Sequence, residues 1–506
     1  MPVFAAVDIG SNSVRLSIAE LRRGRLIPLH QDREVTRLGE SVFRDGNLSP
    51  QAMAQTLKVL RRFHRAVQSY AVERTRVVGT SALRDSSNGH VFAEWLKTTT
   101  GWKLEIITGL EEGRLIHLGV ISNMRTPPPK LLLIDLGGGS CELTRSEKGH
   151  IKEIVTLPLG AVRLTEEFIH HDPPNKDEMK RLHGFIDQEL GHVSRQLVRA
   201  GARAVIATSG TAAALAGAAQ SMGLGRRTGA VSQTIAAKLV KKLAKLTARQ
   251  RAAIKGINPK RAQIIVAGAA VYSQVLHACG LKGFRYSSLG LRDGLLAQMA
   301  AEYDQHTRSH RQLESDRQDV LLKTAQRYGV DLENAAQVSR LALSLFDQTR
   351  AVHGLERTWR EWIAAAAMLY EVGIYINPVG LHRHAFYVIS RSELFGFTPL
   401  QRAIIATVAR FQGNSRPQLR DRLIKLLPAQ VRSDTMKSIA ILRVARALNQ
   451  GRRSAVNSLR ASMRGGEIVI TVKAGRGGAD LELWAGEKEV SYFREVFGRE
   501  LVFKLA

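Results

Sequence analysis

A nine-residue pattern occurs twice in this chain, 127 positions apart, and the two copies align without a gap. The first is Asp8-Ile9-Gly10-Ser11-Asn12-Ser13-Val14-Arg15-Leu16. The second is Asp135-Leu136-Gly137-Gly138-Gly139-Ser140-Cys141-Glu142-Leu143. Each copy follows a short apolar run, places an Asp at its end, crosses small polar residues and resumes an apolar alternation. That order reads as a β-hairpin whose tight turn uses residues tolerant of positive φ. Backbone N–H groups and hydroxyls of such a turn can hold phosphate oxygens. Either copy alone reads equally well as a plain hairpin. Two matched copies predict two related halves, each presenting a phosphate loop to a cleft.

The surrounding pattern agrees. Strand-like runs fall at Phe4–Val7, Arg76–Val78, Leu104–Ile107, Leu131–Ile134 and Ala204–Ala207, with amphipathic stretches at Gln51–Tyr70 and Lys176–Val198. Strands alternating with helices predict an α/β class. The proline run within Arg125–Lys130 suggests a connection between halves. Helical periodicity dominates from about His306 to Leu448, and Glu467–Val472 and Ala479–Leu483 suggest a small terminal sheet. The expected domains are residues 1–124, 125–305, 306–455 (helical) and 456–506 (β-rich).

Composition narrows the class. Hydrophobic residues make up 44% and charged residues 24% of 506, which excludes disorder, collagen and coiled coil as the main architecture. Two cysteines, Cys141 and Cys279, cannot build a disulfide framework or a cysteine-rich zinc site, and a reduced cytoplasmic setting is the simplest expectation. The first residues lack a basic n-region and an adequate apolar h-region, so a signal peptide is not expected, and without an apolar run of about 18 residues no membrane span is expected. The net charge is +29. From Leu190 to Arg292 the chain has no Asp or Glu but 17 Lys and Arg. Lys238, Lys241, Lys242 and Lys245 recur at helical spacing and, with Arg261, form a candidate polyanion track. A merely basic, solvated face is the competing reading.

Further segments narrow the chemistry: Gly79-Thr80-Ser81-Ala82-Leu83-Arg84-Asp85 after one strand, Thr108-Gly109-Leu110-Glu111-Glu112-Gly113-Arg114 after another, Thr208-Ser209-Gly210-Thr211, Gly256-Ile257-Asn258-Pro259-Lys260-Arg261, and Ser287-Ser288-Leu289-Gly290-Leu291-Arg292-Asp293-Gly294. With the twin hairpins, and in this order, they resemble the exopolyphosphatase / guanosine pentaphosphate phosphohydrolase family, of the long bacterial exopolyphosphatase type. The resemblance implies two actin-like (ribonuclease H-like) domains followed by a helical HD-like domain. It implies hydrolysis of terminal phosphoanhydride bonds of inorganic polyphosphate, with guanosine pentaphosphate (pppGpp) as an alternative substrate, a homodimer, and Glu112 as the catalytic glutamate. Glu111 is its rival by position. Asp135, Glu142 and Asp8 offer hard oxygens to Mg²⁺, or to Mn²⁺ as an alternative ion, and could equally be acceptors for turn amides. Phosphate contacts would come from Ser11, Asn12, Ser13 and Arg15, from Gly137, Gly138, Gly139 and Ser140, and from Ser81 and Arg84. A salt bridge to Asp85 is the plainer role for Arg84.

In the helical region, Ala364–Gly373 resembles the HD helix, but Tyr370-Glu371 replaces the His-Asp pair, so a two-metal centre is not expected. His382 and His384 read as packing or surface residues. Arg416, Arg420, Arg422, Arg452, Arg453, Arg460 and Arg464 suit a polyanion channel or a solvated face. Two other classes compete: an actin-like ATP-dependent kinase, for which Ala267-Gly268-Ala269-Ala270 is the weak adenine-site candidate, and a non-enzymatic nucleic-acid binder. The second explains the charge but neither the twin hairpins nor the carboxylates, so no specific nucleic acid and no membrane partner is expected.

Overall fold

The computed structural model describes residues 1–191, 193, 201–225, 229–464, 466–475 and 477–506, without the side chains of Arg308 and Arg464. Arg195, Arg199, Arg226 and Arg227 of the acid-free stretch lie outside the described residues. The chain divides into two compact units, residues 1–315 and 316–506.

Apolar alternation builds both sheets of the first unit. The strands of the first sheet are β1 (Val3–Ile9), β2 (Val14–Arg22), β3 (Arg25–Glu34), β4 (Arg74–Gly79) and β5 (Leu104–Ile106), in the order β3-β2-β1-β4-β5. The second sheet is made of β6 (Lys130–Leu136), β7 (Cys141–Glu147), β8 (His150–Leu157), β9 (Ala204–Thr208), β10 (Ala230–Ser232) and β11 (Gly283–Tyr286), in the order β10-β11-β9-β6-β7-β8. In each sheet an antiparallel meander (β1-β2-β3, β6-β7-β8) meets a parallel strand (β4, β9) beside its first member. This is the duplicated actin-like arrangement. Cross-strand register pairs Asp8 with Arg15 and Asp135 with Glu142, so the sequence repeat is also a structural one.

Helices cover the sheets by burying one stripe each. The helix Pro50–Gln68 starts at the cap Ser49, whose hydroxyl accepts from Ala52 N at 3.2 Å, and it buries Met53, Leu57, Leu60, Phe63 and Val67. The helix Leu291–Tyr303 follows the second sheet but packs against β1 and against the helix Gly109–Ser122. Its crossing is close because both surfaces are glycine there: a Cβ on Gly119 would stand 2.6 Å from Gly294 N. One apolar core, with Phe4, Val78, Leu115, Leu133 and Leu295, joins the two halves at this point.

The helix Gly109–Ser122 also fixes a buried imidazole. It runs along β7, with Gly109 over Thr156 and Gly113 over Thr144 and Ile154. His117, one turn on, is fully buried, and among the described residues neither ring nitrogen has a hydrogen-bond partner. Burial, then the Arg114 charge, pulls its pKa down to about 3. The folded chain therefore keeps His117 neutral while the unfolded chain protonates it near pH 6.5, so stability falls as pH drops below that value. Over pH 6.5 to 5 this costs about 2 kcal/mol. Urea unfolding at pH 7 and pH 5 should show a smaller pH loss in His117→Phe than in the wild type; equal losses would contradict the buried neutral state.

In the second unit, the helices Leu332–Gln348, Thr358–Leu369, Leu381–Arg391, Pro399–Arg410 and Ala429–Ala447 share one core with a three-stranded sheet, β12 (Val456–Arg464), β13 (Glu467–Ala474) and β14 (Leu501–Leu505). The expected strand at Ala479–Leu483 is instead the start of the helix Asp480–Glu487. Leu481 and Leu483 mimic strand alternation. However, β13 and β14 are parallel, and a parallel pair needs a crossover, which this helix and Val490–Phe497 supply. At the HD-like position, Asn334 donates to the Tyr370 hydroxyl (2.9 Å) and to Glu371 (3.0 Å), and Arg452 pairs with Glu371 at 2.8 Å. His382 stacks on Tyr370 with ring centroids 6.1 Å apart, and burial brings its pKa down to about 4. No described helix is long and apolar enough to cross a membrane, and both cysteines are buried and free.

Candidate active site

The two repeat loops face each other across one cavity of about 290 Å³ in the first unit. Gly10 N donates to Ser13 O at 3.2 Å in one loop, and Gly137 N to Ser140 O at 2.9 Å in the other. Neither loop uses a positive φ, contrary to the sequence reading. Four residues span each turn without it, and the glycines answer to space instead. A Cβ on Gly138 would stand 2.9 Å from Ser11 Cβ and 3.4 Å from Asn12 N. A Cβ on Gly139 would overlap the Ser81 hydroxyl and the Phe43 ring. Small residues in the second loop let its backbone meet the first. The Ser11 hydroxyl is buried and has no hydrogen-bond partner among the described residues. Arg163 closes the rim: it donates to Gly139 O (2.8 Å) and Asp85 (2.5 Å), and lies over Phe43 at 4.2 Å.

Glu112 enters from the first turn of the helix Gly109–Ser122, whose cap Thr108 accepts from Glu111 N at 3.2 Å. Glu111 is occupied elsewhere, by a two-bond pair to Arg114 at 2.8 Å. Glu112 therefore takes the position facing the cavity. Arg84 does not line it: tethered to Ile107 O at 2.9 Å, it stands behind Glu112, 3.6 Å from Oε2 and 3.8 Å from Asp85.

Carboxylate oxygens of Glu112, Asp135 and Glu142 lie within 4.8 Å of one another. Glu142 is fully buried, with only a loose contact from the Ser140 hydroxyl among the described residues, and Glu112 Oε2 faces the Arg84 guanidinium at 3.6 Å. Asp135 accepts from the Thr208 hydroxyl. Burial raises the pKa of all three. Arg84 opposes this for Glu112 and the Thr208 bond opposes it for Asp135, while the neighbouring carboxylates reinforce it. A set of oxygen-only donors with buried, unsatisfied charge fits a hard divalent cation. Asp8 stands outside this trio, under the influence of Arg15, Arg292 and Arg33.

Among the residues singled out from sequence, Asp8, Ser11, Asn12, Ser13, Arg15, Ser81, Glu112, Asp135, Gly137, Gly138, Gly139, Ser140 and Arg261 line the cavity. Arg261 belongs here and not to an exposed track: it is 8% exposed and donates to Thr211 at 3.2 Å. Burial, then Arg33 and Arg15, lowers its pKa to about 9. Lys238, Lys241 and Lys242 are exposed on the helix Gln233–Leu243, and Lys245 lies just beyond its end; none lines the cavity. Ala267–Ala270 is the buried interior of the helix Ile265–Ala278, where Gly268 abuts Thr211, so it offers no loop for an adenine. The sequence reading gave no role to Arg33, Ser209, Tyr286 or Arg292, which also line the cavity. Ser209 and Arg292 stand in the segments Thr208–Thr211 and Ser287–Gly294, which carry part of the family resemblance. Arg33 is revealed only by the register of β3 on β2.

Comparison with known proteins fits this geometry. The profile of the Ppx/GppA phosphatase family matches residues 17–303, and that of Ppx/GppA phosphatase domain III matches residues 317–475. The chain belongs to the Ppx/GppA phosphatase family. Among solved Ppx/GppA structures, the Aquifex aeolicus family member is 28% identical with a TM-score of 0.51, over 60% of this chain and 99% of its own. An exopolyphosphatase from Cytophaga hutchinsonii is 26% identical with a TM-score of 0.55, over 59% of this chain and 98% of its own. Family membership accounts for the twin loops and for the helical second unit together.

Proposed function

We propose that this chain is an exopolyphosphatase, hydrolysing the terminal anhydride of inorganic polyphosphate and releasing orthophosphate. One observation carries the reading: both phosphate loops, with Asp8 and Asp135 at their bases, open on a single cavity that Glu112 also enters. The Cytophaga relative is itself an exopolyphosphatase, which supports the same substrate class.

The loops bind first. N–H groups and hydroxyls of Ser11–Ser13 and Gly137–Ser140 hold phosphate oxygens from two sides, and the cavity arginines offset their charge. Glu112 accepts a hydrogen bond from a water molecule and orients it toward the terminal phosphorus. Arg84, behind it, favours the ionised carboxylate. Asp135 and Glu142 would hold Mg²⁺ or Mn²⁺, which when bound offsets charge on the phosphoryl oxygens. pppGpp carries the same kind of terminal anhydride and is the alternative substrate. The exposed lysines of Gln233–Leu243 could act only on chain far from the cavity.

Colorimetric phosphate release from long polyphosphate, tripolyphosphate, pppGpp and ATP, with and without Mg²⁺, tests the reading. The expected result is Mg²⁺-dependent release that is fastest from long polyphosphate. Release from pppGpp alone would move the chain to the alternative, and release from none would overturn the reading.

A further inference from the structure

Asp8, Arg15 and Arg33 occupy directly paired positions on three neighbouring strands, β1, β2 and β3. Paired residues of adjacent antiparallel strands point to the same face of a sheet. Asp8 against Arg15 is a favourable pair. Arg15 against Arg33 is not, because like charges directly opposite destabilise a sheet. Both arginines nevertheless line the cavity, and Arg261 and Arg292 join them from the other half of the unit. Among the described residues, no carboxylate lies within 4.0 Å of any of these four guanidinium groups, although the same unit pairs Arg62, Arg74, Arg76, Arg114, Arg163 and Arg251 with acids. Arg292 donates to Leu16 O at 3.0 Å, so a backbone carbonyl and not an ion pair fixes its position. Partial burial, then Arg15 and Arg292, pulls the Arg33 pKa down to about 10, the direction produced by crowded cations. Arg33 itself is exposed at the cavity mouth.

Four cations that share the nearby Asp8 and Asp293 but make no close ion pair keep an excess of positive charge, which is arranged for an anion of several charges. The inner loops account for the phosphate under attack. Arg33 lies two strands outward from Asp8, on the side away from β4, where only further phosphates of the same molecule would reach. We infer that Arg33, acting with Arg15 and Arg292, forms an outer subsite for phosphates beyond the scissile anhydride, and so selects substrates with an extended phosphate chain. The inference rests on the hydrolase reading above and adds a residue that sets its substrate length.

The test compares wild type, Arg33→Gln and Arg33→Lys in two measurements. The first is steady-state phosphate release from long polyphosphate and from pppGpp. Arg33→Gln should raise KM for long polyphosphate about tenfold, the weight of one charge-assisted hydrogen bond, with kcat changed less than about threefold. Arg33→Lys should recover part of the loss. An equal rise for pppGpp would assign the subsite to any multiply charged phosphate, and a rise confined to polyphosphate would assign it to the inorganic chain; either supports the inference. The second measurement is thermal unfolding with and without tripolyphosphate under Mg²⁺-free conditions. Relief of the Arg15–Arg33 repulsion should raise the Tm of the ligand-free Arg33→Gln protein, and the gain on adding tripolyphosphate should shrink. A residue with only a structural role would lower the ligand-free Tm. An unchanged KM, a fall confined to kcat, or an undiminished tripolyphosphate gain would overturn the inference. If the wild type releases phosphate from no substrate, the hydrolase reading fails, while the unfolding measurement still decides whether Arg33 binds the anion.

Discussion

Glu112→Gln should lower phosphate release from polyphosphate at least about a hundredfold, the lower end of what a positioned general base contributes. The argument is geometric. Thr108 caps the helix that carries Glu112, and Gly109 and Gly113 let β7 and β8 approach that helix. Glu112 is thereby held at the cavity with Arg84 as the cation beside its carboxylate. Glutamine keeps the shape but can no longer take a proton from water. Binding should survive, because the phosphate loops are untouched; KM should stay within about threefold while kcat collapses, the signature of an interaction realised only in the transition state. A residual rate within threefold of wild type would remove Glu112 from its role. Glu111→Gln is the matched control. It should lower stability through the lost Arg114 pair and leave most of the activity of the folded enzyme.

Glu142→Gln should produce two effects of opposite sign. Activity should fall at least about a hundredfold, because charge stabilisation by a bound ion amounts to several kcal/mol, and about 1.4 kcal/mol is one decade in rate. Ion-free stability should rise. Glu142 lies fully buried close to Glu112 and Asp135, with only a loose contact from the Ser140 hydroxyl among the described residues. Burying this carboxyl beside two others opposes folding, through desolvation of its charge or uptake of a proton, and a neutral amide removes that cost. Thermal unfolding in chelator should show a higher Tm for Glu142→Gln, by about 2 °C or more for a unit of this size. Addition of Mg²⁺ should raise the wild-type Tm and leave the variant unmoved. A variant that keeps the wild-type response to Mg²⁺ would show that Glu142 holds no ion.

Much of this site could be read from the sequence because the information was local. A strand ending in Asp, a short run of small polar residues and a second strand describe a loop completely, and repetition located its partner. The matched pairs Asp8–Arg15 and Asp135–Glu142 follow from hairpin register alone. What escaped depends on chain distant in sequence. Arg261 looked like one cation in a basic stretch, yet the turn Pro259–Arg261 leads it into the cavity beside Thr211. Arg33 lies on an edge strand whose pattern gives no sign of its neighbour. Arg84 was assigned to phosphate by its place in a motif, and its bond to Ile107 O turns it behind Glu112. The loop glycines were read as conformational devices, whereas close approach across the cleft explains them. At Asp480 the alternation of Leu481 and Leu483 suggested a strand, and only the parallel pairing of β13 with β14 shows why a helix must stand there.

The account stands on water being aimed at the terminal phosphorus inside the twin-loop cavity. A single-turnover reaction with long polyphosphate in water enriched in ¹⁸O tests this directly, read by mass spectrometry of the released orthophosphate. One labelled oxygen in each orthophosphate, with none in the shortened chain, is the predicted result. Label in the remaining chain, or orthophosphate released without label, would contradict the account.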